Sequence, residues 1–328
     1  MDMIQSLQSV HTHYQAIRKE ISKIIIGQDD VLEALLIAFF SSGHAQLVGV
    51  PGLAKTMMIQ SLADVMDLRF KRIQFTPDLM PSDITGTEVI EEDMKTGHRS
   101  FRFIKGPLFG NIILADEINR TPPKTQAALL EAMQERQVTT GGISYKLEAP
   151  FFVLATQNPI EQEGTYPLPE AQLDRFMFQL YVDYPSTAEE KEIVIRTTGL
   201  ESAGLQKVIN RSELLDIQRS VKTLPVAEHV VDYAVNIVRA TRPDNSAIDN
   251  IRHYVKWGAG PRASQYLIIG AKTRAAMLGK VTPDEEDINA VAPQVLRHRI
   301  LRNFKAEADG VAVDDIIHQL IQVYHGKS

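Results

Sequence analysis

Short apolar runs alternate with helical patterns along the first half of the chain. Ile112, Ile113 and Leu114 follow one another without a polar residue, which is typical of a strand covered by helices on both faces. Met58 and Leu62 instead share one side of a helical pattern. Strands are predicted over residues 45–50, 70–75, 111–115, 151–156 and 177–182, and helices before the first strand and over residues 55–66 and 122–137. This alternation predicts a three-layer α/β domain with a mainly parallel sheet.

The pattern changes after residue 185, where amphipathic helices take over and no run of residues predicts another strand. Ser186 with Glu189, or Thr187 with Glu190, fits a capping box that opens the first of these helices. Further on, Thr282 is predicted to cap another helix. Two domains are therefore predicted, an α/β domain over residues 1–185 and a smaller, all-helical lid over residues 186–328.

Composition narrows the class of protein. The chain has 328 residues, of which 44% are apolar and 23% charged, so it is a folded globular protein and not a disordered or collagen-like one. Its net charge of −6 argues against a dedicated nucleic-acid-binding protein. The absence of cysteine excludes disulfides, thiolate nucleophiles and cysteine-ligated metal sites. With neither a signal peptide nor a stretch long enough to span a membrane, the protein is expected in the cytoplasm.

The most informative segment is the loop of residues 49–56, which lies between a predicted strand and a predicted helix. Backbone N–H groups of such a loop point at phosphate oxygens, its lysine reaches the β- and γ-phosphates, and its threonine hydroxyl ligates Mg²⁺. Ala54 stands where the strict motif has glycine, which narrows the allowed backbone angles. The alternative interpretation is a plain strand-to-helix turn with a solvated lysine. The predicted nucleotide-binding positions are Gly49, Val50, Pro51, Gly52, Leu53, Ala54, Lys55, Thr56 and Met57.

Polar side chains also follow two other predicted strands. Asp116 and Glu117 end one of them, and successive strand residues point to opposite sides, so Asp116 is assigned to the Mg²⁺ shell and Glu117 to polarising a water. Asn158 follows the next strand and is assigned to the water or the γ-phosphate. Because ligands of open α/β sheets bind beyond the carboxyl ends of the strands, these residues are expected near the phosphate loop. The alternatives are surface acids that merely end a strand and an ordinary turn residue before proline.

The order of these motifs resembles the AAA+ ATPases, and more closely their MoxR branch. The resemblance implies that Gly27 and Gln28 lie beside the adenine, that Asn158 is the first sensor, and that Arg175 acts on the ATP of a neighbouring subunit. Arg262 is similar to the second sensor of the helical lid. The segments that carry the resemblance are residues 26–28, 49–56, 78–86, 105–109, 116–117, 155–159 and 168–176.

The two arginines also have structural alternatives. Arg175 has acids close to it in the sequence, so an ion pair with Asp174 or Glu170 is the alternative to a role in trans. Arg262 follows a proline in the first turn of a predicted helix, where the dipole disfavours a cation unless an anion lies nearby. A γ-phosphate is the expected anion.

Two insertions are predicted to be β-hairpins, near residues 86–105 and 137–148. In related proteins hairpins at these places line a central pore or face. The first carries Lys95, Arg99, Arg102 and Lys105, but Glu91, Glu92 and Asp93 offset much of that charge. A solvated hairpin is therefore favoured over a DNA contact.

The sequence thus predicts a Mg²⁺-dependent ATPase with ATP at the junction of its two domains. The resemblance further implies a ring, expected to be a hexamer, and a chaperone-like role in remodelling or maturing client proteins, often ones with von Willebrand factor A domains. Two alternatives stay open. One is a nucleotide-gated assembly scaffold with little hydrolysis, and the other is a DNA-acting motor.

Overall fold

The computed structural model describes residues 3–92, 99–160, 164–199 and 204–325. Its strands are β1 (Ala45–Val48), β2 (Phe70–Gln74), β3 (Gly86–Glu92), β4 (Arg99–Lys105), β5 (Ile112–Asp116), β6 (Gln137–Thr140), β7 (Ile143–Lys146), β8 (Phe152–Gln157), β9 (Phe178–Tyr181), β10 (Val255–Trp257) and β11 (Leu301–Arg302). Its α-helices are α1 (Met3–Ile21), α2 (Asp29–Phe40), α3 (Lys55–Val65), α4 (Pro81–Thr85), α5 (Pro123–Glu135), α6 (Glu170–Leu173), α7 (Thr187–Thr197), α8 (Arg211–Thr223), α9 (Glu228–Ala240), α10 (Asp249–Tyr254), α11 (Pro261–Met277), α12 (Glu285–Leu296), α13 (Phe304–Ala308) and α14 (Val313–Tyr324).

The central sheet consists of the five strands predicted from the sequence. They lie in the order β2-β5-β8-β1-β9 and every neighbouring pair is parallel. The carboxyl ends of all five strands therefore lie at one edge of the sheet and the amino ends at the other. Strand β1 sits between β8 and β9, so the loop that follows it begins near the middle of the carboxyl edge.

Side chains of the central strands alternate between two separate cores. Ile112 and Leu114 of β5 pack with helices α1, α2 and α3, whereas Ile113 and Ala115 pack on the opposite face with α5. All four are fully buried. This confirms the three-layer arrangement that the uninterrupted apolar runs predicted.

The carboxyl-terminal part of the chain is mainly helical, with α9, α11, α12 and α14 packed against one another. It also contains a short antiparallel ladder of β10 and β11, so the prediction of an all-helical lid was wrong in this detail. Strands of two or three residues are too short to give a periodic pattern in the sequence. The lid's long helices are nevertheless those expected from amphipathic patterning.

The first residues of helices α7 and α12 show which of the predicted N-caps the chain uses. The hydroxyl of Ser186 accepts from the backbone N–H of Glu189 and the Glu189 carboxylate accepts from that of Ser186, which confirms the first of the two alternative capping boxes. The prediction that Thr282 caps the later helix, α12, was wrong. Asp284 caps α12 together with Asp287, because each carboxylate accepts from the other residue's N–H. The boundary near residue 185 stays a prediction.

Both predicted insertions form antiparallel hairpins, β3 with β4 and β6 with β7. Arg99 forms an ion pair with Glu92, and Arg102 with Glu91, so acids of the same hairpin offset these cations as expected. Lys95 and Asp93 lie outside the described residues. Across the described ranges, no helix has the length and apolarity that a membrane span requires.

Candidate active site

The loop between β1 and α3 has the shape that a phosphate cradle needs. Gly52 has φ +87° and Ala54 has φ +54°, and α3 begins directly after Ala54. A left-handed conformation costs a residue with a Cβ about 1–2 kcal/mol. The sequence departs from the glycine motif at Ala54, and the chain adopts the glycine-like backbone there nonetheless.

Gly49 fixes the base of this loop against its neighbours in the sheet. Its backbone N–H donates to the carbonyl of Gln157, 3.2 Å away. A Cβ at this position would lie 2.8 Å from the carbonyl oxygen of Val182, which follows β9. Because glycine has no Cβ, it alone allows the loop to leave the sheet this close to the backbone of Val182.

Lys55 lies at the start of α3, where its ammonium donates to the carbonyl of Gly49 at 2.5 Å. Burial lowers its pKa from the ordinary value, while the charges of Asp116 and Glu117 act in the opposite direction. The lysine thus lies within the field of both acids that the sequence singled out. Half-buried and bonded to the loop's own carbonyl, Lys55 is not fully solvated.

Asp116 ends β5 with both carboxylate oxygens engaged. Oδ1 accepts from the hydroxyl of Thr156 at 2.6 Å, and Oδ2 accepts from Arg72 Nη2 at 2.6 Å. Neither partner was predicted from the sequence. Arg72 lies on β2, which pairs with β5, and the order of strands in a sheet is not visible in the sequence.

Glu117 forms hydrogen bonds with three residues. Its backbone has φ +57°, and its N–H donates to the Thr156 hydroxyl at 2.9 Å. Its Oε2 accepts from Gln74 Nε2 and from Arg120 Nη1, both at 2.9 Å. Gln74 ends β2 directly beside Asp116 in the strand register, so strand pairing brings it to the acid. Arg72 and Gln74 are two positions apart in β2, which places both side chains on one face of this edge strand.

Asn158 follows β8 at the same edge and is buried. Its Oδ1 accepts from the N–H of Ile160 at 3.1 Å, which leaves the amide nitrogen as the donor for a ligand. The fold therefore assembles polar groups from four strands and the loops that follow them around one cavity of about 450 Å³. The cavity is lined by Pro51, Gly52, Leu53, Ala54, Lys55, Thr56, Met57, Arg72, Asp116, Glu117, Thr156 and Asn158.

Gly27 and Gln28 lie next to this loop, although they do not line its cavity. The side-chain nitrogen of Gln28 donates to the carbonyl of Leu53 at 3.3 Å. Its Oε1 is buried and has no hydrogen-bond partner among the described residues. A buried acceptor without a donor is costly, and an exocyclic amino group of a base is a suitable donor.

The cavity also fits Mg²⁺ bound with a nucleotide. Thr56 and Asp116 offer one hydroxyl and one carboxylate. The described residues hold no group of three or more carboxylates, histidines or cysteines that would form a complete metal cage. Magnesium bound with phosphates needs no such cage, because it takes one or two protein oxygens, phosphate oxygens and waters.

Arg175 and Arg262 lie elsewhere, in a second cavity of about 210 Å³. Ser42, Gly43 and His44, which precede β1, line it too, so it lies at the amino edge of the sheet. The four residues of β1 alone separate the two edges by roughly 13 Å. The structure therefore does not bring these arginines to the phosphate loop of their own chain.

The ion pairs of the two arginines differ. Arg262 Nη1 donates to Asp174 Oδ2 at 2.8 Å, so its own chain places a carboxylate at the start of α11. Arg175 forms no ion pair within the described ranges. The predicted alternative, a pair with Asp174 or Glu170, is therefore not found there.

Comparisons with known proteins agree with this architecture. Residues 44–178 match the ATPase family associated with various cellular activities (AAA), and residues 249–320 match the AAA lid domain. The chaperone MoxR1 of Mycobacterium tuberculosis is 43% identical over 95% of this chain and 82% of its own length. The protein YeaC of Bacillus subtilis is 41% identical over 92% of this chain and 91% of its own.

A solved structure is similar over nearly the whole chain. It is a crystal structure of a candidate ATPase from Cytophaga hutchinsonii, which superposes with a TM-score of 0.90 at 41% identity and covers 97% of this chain and 96% of that one. The phosphate loop, the paired acids and the two-part fold are thus found in a chain with close relatives over its full length. The chain belongs to the MoxR family of AAA+ ATPases.

Proposed function

We propose that this chain hydrolyses ATP with Mg²⁺ at sites shared between copies of itself. The observation that carries the proposal is the separation of the phosphate loop and the two arginines to opposite edges of one parallel sheet. A phosphate at the carboxyl edge is met by such arginines only when they come from the next subunit. Contacts between two different surfaces of one chain close into a ring when the rotation allows it.

The residues of the carboxyl edge divide the work at the phosphates. Backbone N–H groups of residues 52–56 and the Lys55 ammonium hold the phosphate oxygens. Thr56 and Asp116 hold Mg²⁺, and the Thr156 hydroxyl orients the Asp116 carboxylate. Bound Mg²⁺ neutralises charge on the phosphates. Gly27 and Gln28 contact the adenine, with Gln28 Oε1 as acceptor for its amino group.

Glu117 orients the attacking water and accepts its proton, and Asn158 donates from its amide nitrogen beside it. Arg175 and Arg262 of the neighbouring subunit stabilise charge on the transferred phosphoryl group. Both are guanidinium donors, whose planar geometry suits phosphate oxygens.

The resemblance and the chaperone name of the mycobacterial relative support a role in remodelling or maturing client proteins, including ones with von Willebrand factor A domains, by a ring of six subunits. The ion pairs within the β3/β4 hairpin and the net charge of −6 do not favour a DNA-acting motor.

A nucleotide-gated scaffold is the second candidate, favoured by one observation. The Oε2 atom of Glu117 accepts from both Gln74 and Arg120, so protein donors fix the orientation of this carboxylate. If those bonds persist with ATP bound and hold Oε1 away from the attacking water, the nucleotide controls assembly without being turned over.

The test is Mg²⁺-dependent ATP hydrolysis by wild type, Glu117→Gln and Arg175→Ala across a range of protein concentration. A shared site predicts specific activity that rises with concentration and a loss of about 100-fold or more in each variant. Arg219→Ala, which removes an exposed arginine of α8, is the matched control and keeps wild-type activity.

Two results separate the alternatives. Wild type that binds ATP but turns over no faster than Glu117→Gln at every concentration supports the scaffold. Full activity of Arg175→Ala in assembled protein contradicts a site shared between subunits.

A further inference from the structure

The cavity at the amino edge contains a third arginine that the sequence did not single out. Arg136 follows α5 and lines this cavity together with Arg175, Arg262 and Tyr266. None of the described residues that line it is acidic. Three guanidinium groups thus converge on about 210 Å³.

The surrounding charges do not balance these cations. Asp174 is the nearby carboxylate, and it already accepts from Arg262 at 2.8 Å and from buried Arg299 at 2.7 Å. Arg299 also lies over the ring of Tyr266, 5.1 Å from its centroid. Within the described part of the chain, neither Arg136 nor Arg175 pairs with a carboxylate. Four arginines against one aspartate leave an excess of positive charge.

Arg136 occupies an unusual position for an arginine. It ends α5 with φ +53°, a conformation that glycine adopts without strain and other residues at a cost of about 1–2 kcal/mol. Its guanidinium donates to the carbonyl of Ser42 at 3.0 Å. Burial lowers the pKa of Arg136 from its ordinary value, so a nearby anion would stabilise its charge.

A purely structural role is the alternative. A cation near a helix C-terminus interacts favourably with the helix dipole, and the bond to Ser42 ties α5 to the segment before β1. That role uses one donor of the guanidinium and needs no anion. It does not account for two further arginines in the same cavity.

We propose that Arg136 is a third arginine that contacts the phosphates of the ATP bound by the neighbouring subunit. This rests on the proposed shared site, since Arg136 lies in the same cavity as Arg175 and Arg262. A nucleoside triphosphate with its Mg²⁺ presents several anionic oxygens, and guanidinium groups bind such oxygens in pairs. Arg136 meets this ligand from the end of α5, Arg175 from the segment before β9, and Arg262 from the lid.

The experiment uses the full chain with Arg136→Gln, Arg136→Lys and the matched control Arg239→Gln. Arg239 is an exposed arginine in the last turn of α9, so it controls for loss of a cation at a helix C-terminus. Arg136→Gln is expected to lower kcat by about 10-fold or more while rings still assemble. Arg136→Lys keeps the charge and recovers part of that loss, and Arg239→Gln matches wild type.

Mixed subunits show on which nucleotide Arg136 acts. When Arg136→Gln subunits are mixed with equal amounts of Glu117→Gln subunits, an intact Glu117 meets an intact Arg136 across about a quarter of randomly formed interfaces. Activity is expected to rise well above the sum of the two separate variants. The same mixture with Arg175→Ala in place of Arg136→Gln tests the proposed function itself.

The outcomes distinguish the two claims. Wild-type turnover by Arg136→Gln overturns the inference, as does recovery with the Arg175→Ala mixture but not with the Arg136→Gln mixture. Weakened assembly with normal turnover per assembled ring also overturns it, since the partner of Arg136 is then a carboxylate of the next subunit. No recovery in either mixture refutes the shared site.

Discussion

The two edges of the central sheet differ in how their charged groups are arranged. At the carboxyl edge, backbone N–H groups and Lys55 form the cradle, and the acids Asp116 and Glu117 are each held by neutral and cationic donors. At the amino edge, Arg136 and Arg175 face a cavity whose described lining includes no acid. The first edge is a nearly complete site, whereas the second carries charge that its own chain leaves unbalanced.

This difference indicates which functions a single subunit performs alone. In the proposed function, binding of a nucleotide depends on the carboxyl edge, which one chain supplies in full. Hydrolysis then depends on both edges, which the parallel sheet keeps roughly 13 Å or more apart within a subunit. A surplus of cations at one edge is therefore informative about assembly, because it is stabilised when the anionic ligand of another copy comes next to it.

The largest expected effect comes from substituting one residue at each edge and comparing the changes in ATP binding and hydrolysis. Lys55→Ala is expected to weaken ATP binding at least ~100-fold, because it removes a buried, charged partner of the phosphates. Arg262→Ala is expected to leave ATP binding by dilute, unassembled protein unchanged and to lower hydrolysis by assembled protein. Calorimetry at low protein concentration measures the first quantity. If Arg262→Ala weakens dilute binding as much as Lys55→Ala does, the two edges act on one nucleotide within the same chain.

The amino edge also predicts a dependence of stability on pH. His44 lines the arginine cavity and is fully enclosed, and burial together with the charge of Arg136 lowers its pKa to about 3. His298 is buried beside Arg299, and burial with that charge holds its pKa well below the ordinary value. His44 therefore stays neutral in the folded protein near pH 5 and His298 is shifted in the same direction, whereas histidines of the unfolded chain take up protons below about pH 6.5.

Because the unfolded state binds more protons in this range, stability falls as the pH falls. His44 is expected to lower the free energy of unfolding by about 2 kcal/mol between pH 7 and pH 5, and His298 acts in the same direction. Urea unfolding at both pH values measures this change. His44→Asn should reduce it by about 2 kcal/mol, and His229→Asn, which replaces an exposed residue of α9, is the control. An unchanged pH dependence in His44→Asn would show that His44 takes up a proton in the folded protein.

Most of the fold followed from patterns that are local in the sequence. The five sheet strands have apolar runs of the right length, and the buried alternation of Ile112, Ile113 and Leu114 between two cores is what such runs require. The β10/β11 ladder did not follow, since its strands have two and three residues. Asp284 as a cap was hidden because Thr282 with Pro283 formed an equally plausible local signal.

The candidate site was predicted where a single segment carries the chemistry. The phosphate loop and the pair Asp116–Glu117 are contiguous in sequence, so their roles follow from residue type and position. Arg72, Gln74 and Arg136 were missed because their roles depend on which strand lies beside β5 and on where α5 ends relative to β1. Such neighbours are set by the topology of the sheet, which one sequence does not reveal.

A smaller effect is expected from closing the space at the base of the phosphate loop. Gly49→Ala places a Cβ 2.8 Å from the carbonyl oxygen of Val182, and backbone cannot move aside as a side chain does. We expect a loss of about 1–3 kcal/mol in the free energy of unfolding and weaker nucleotide binding. Gly204→Ala is the control, since no atom lies within 4 Å of a Cβ there and its φ is not in the left-handed region. Wild-type stability of Gly49→Ala would mean that β9 does not constrain the loop.

The smallest expected effect concerns Ala54, the residue that departs from the glycine motif. Ala54→Gly relieves a left-handed alanine, worth about 1–2 kcal/mol, but it also gives the unfolded chain more freedom, which offsets about 0.4–1 kcal/mol. The net change in the free energy of unfolding is expected to be a stabilisation of between about 0 and about 1.6 kcal/mol. Ala127→Gly is the matched control, because the same substitution in the exposed interior of α5 destabilises by about 1 kcal/mol. Urea unfolding measures both changes, and opposite signs for the two variants support a strained loop. ATP affinity should change little in Ala54→Gly, because the backbone N–H groups already have the cradle geometry. Equal destabilisation by both variants would show that Ala54 carries no strain, and the carboxyl edge would then be as relaxed as an ordinary strand-to-helix turn.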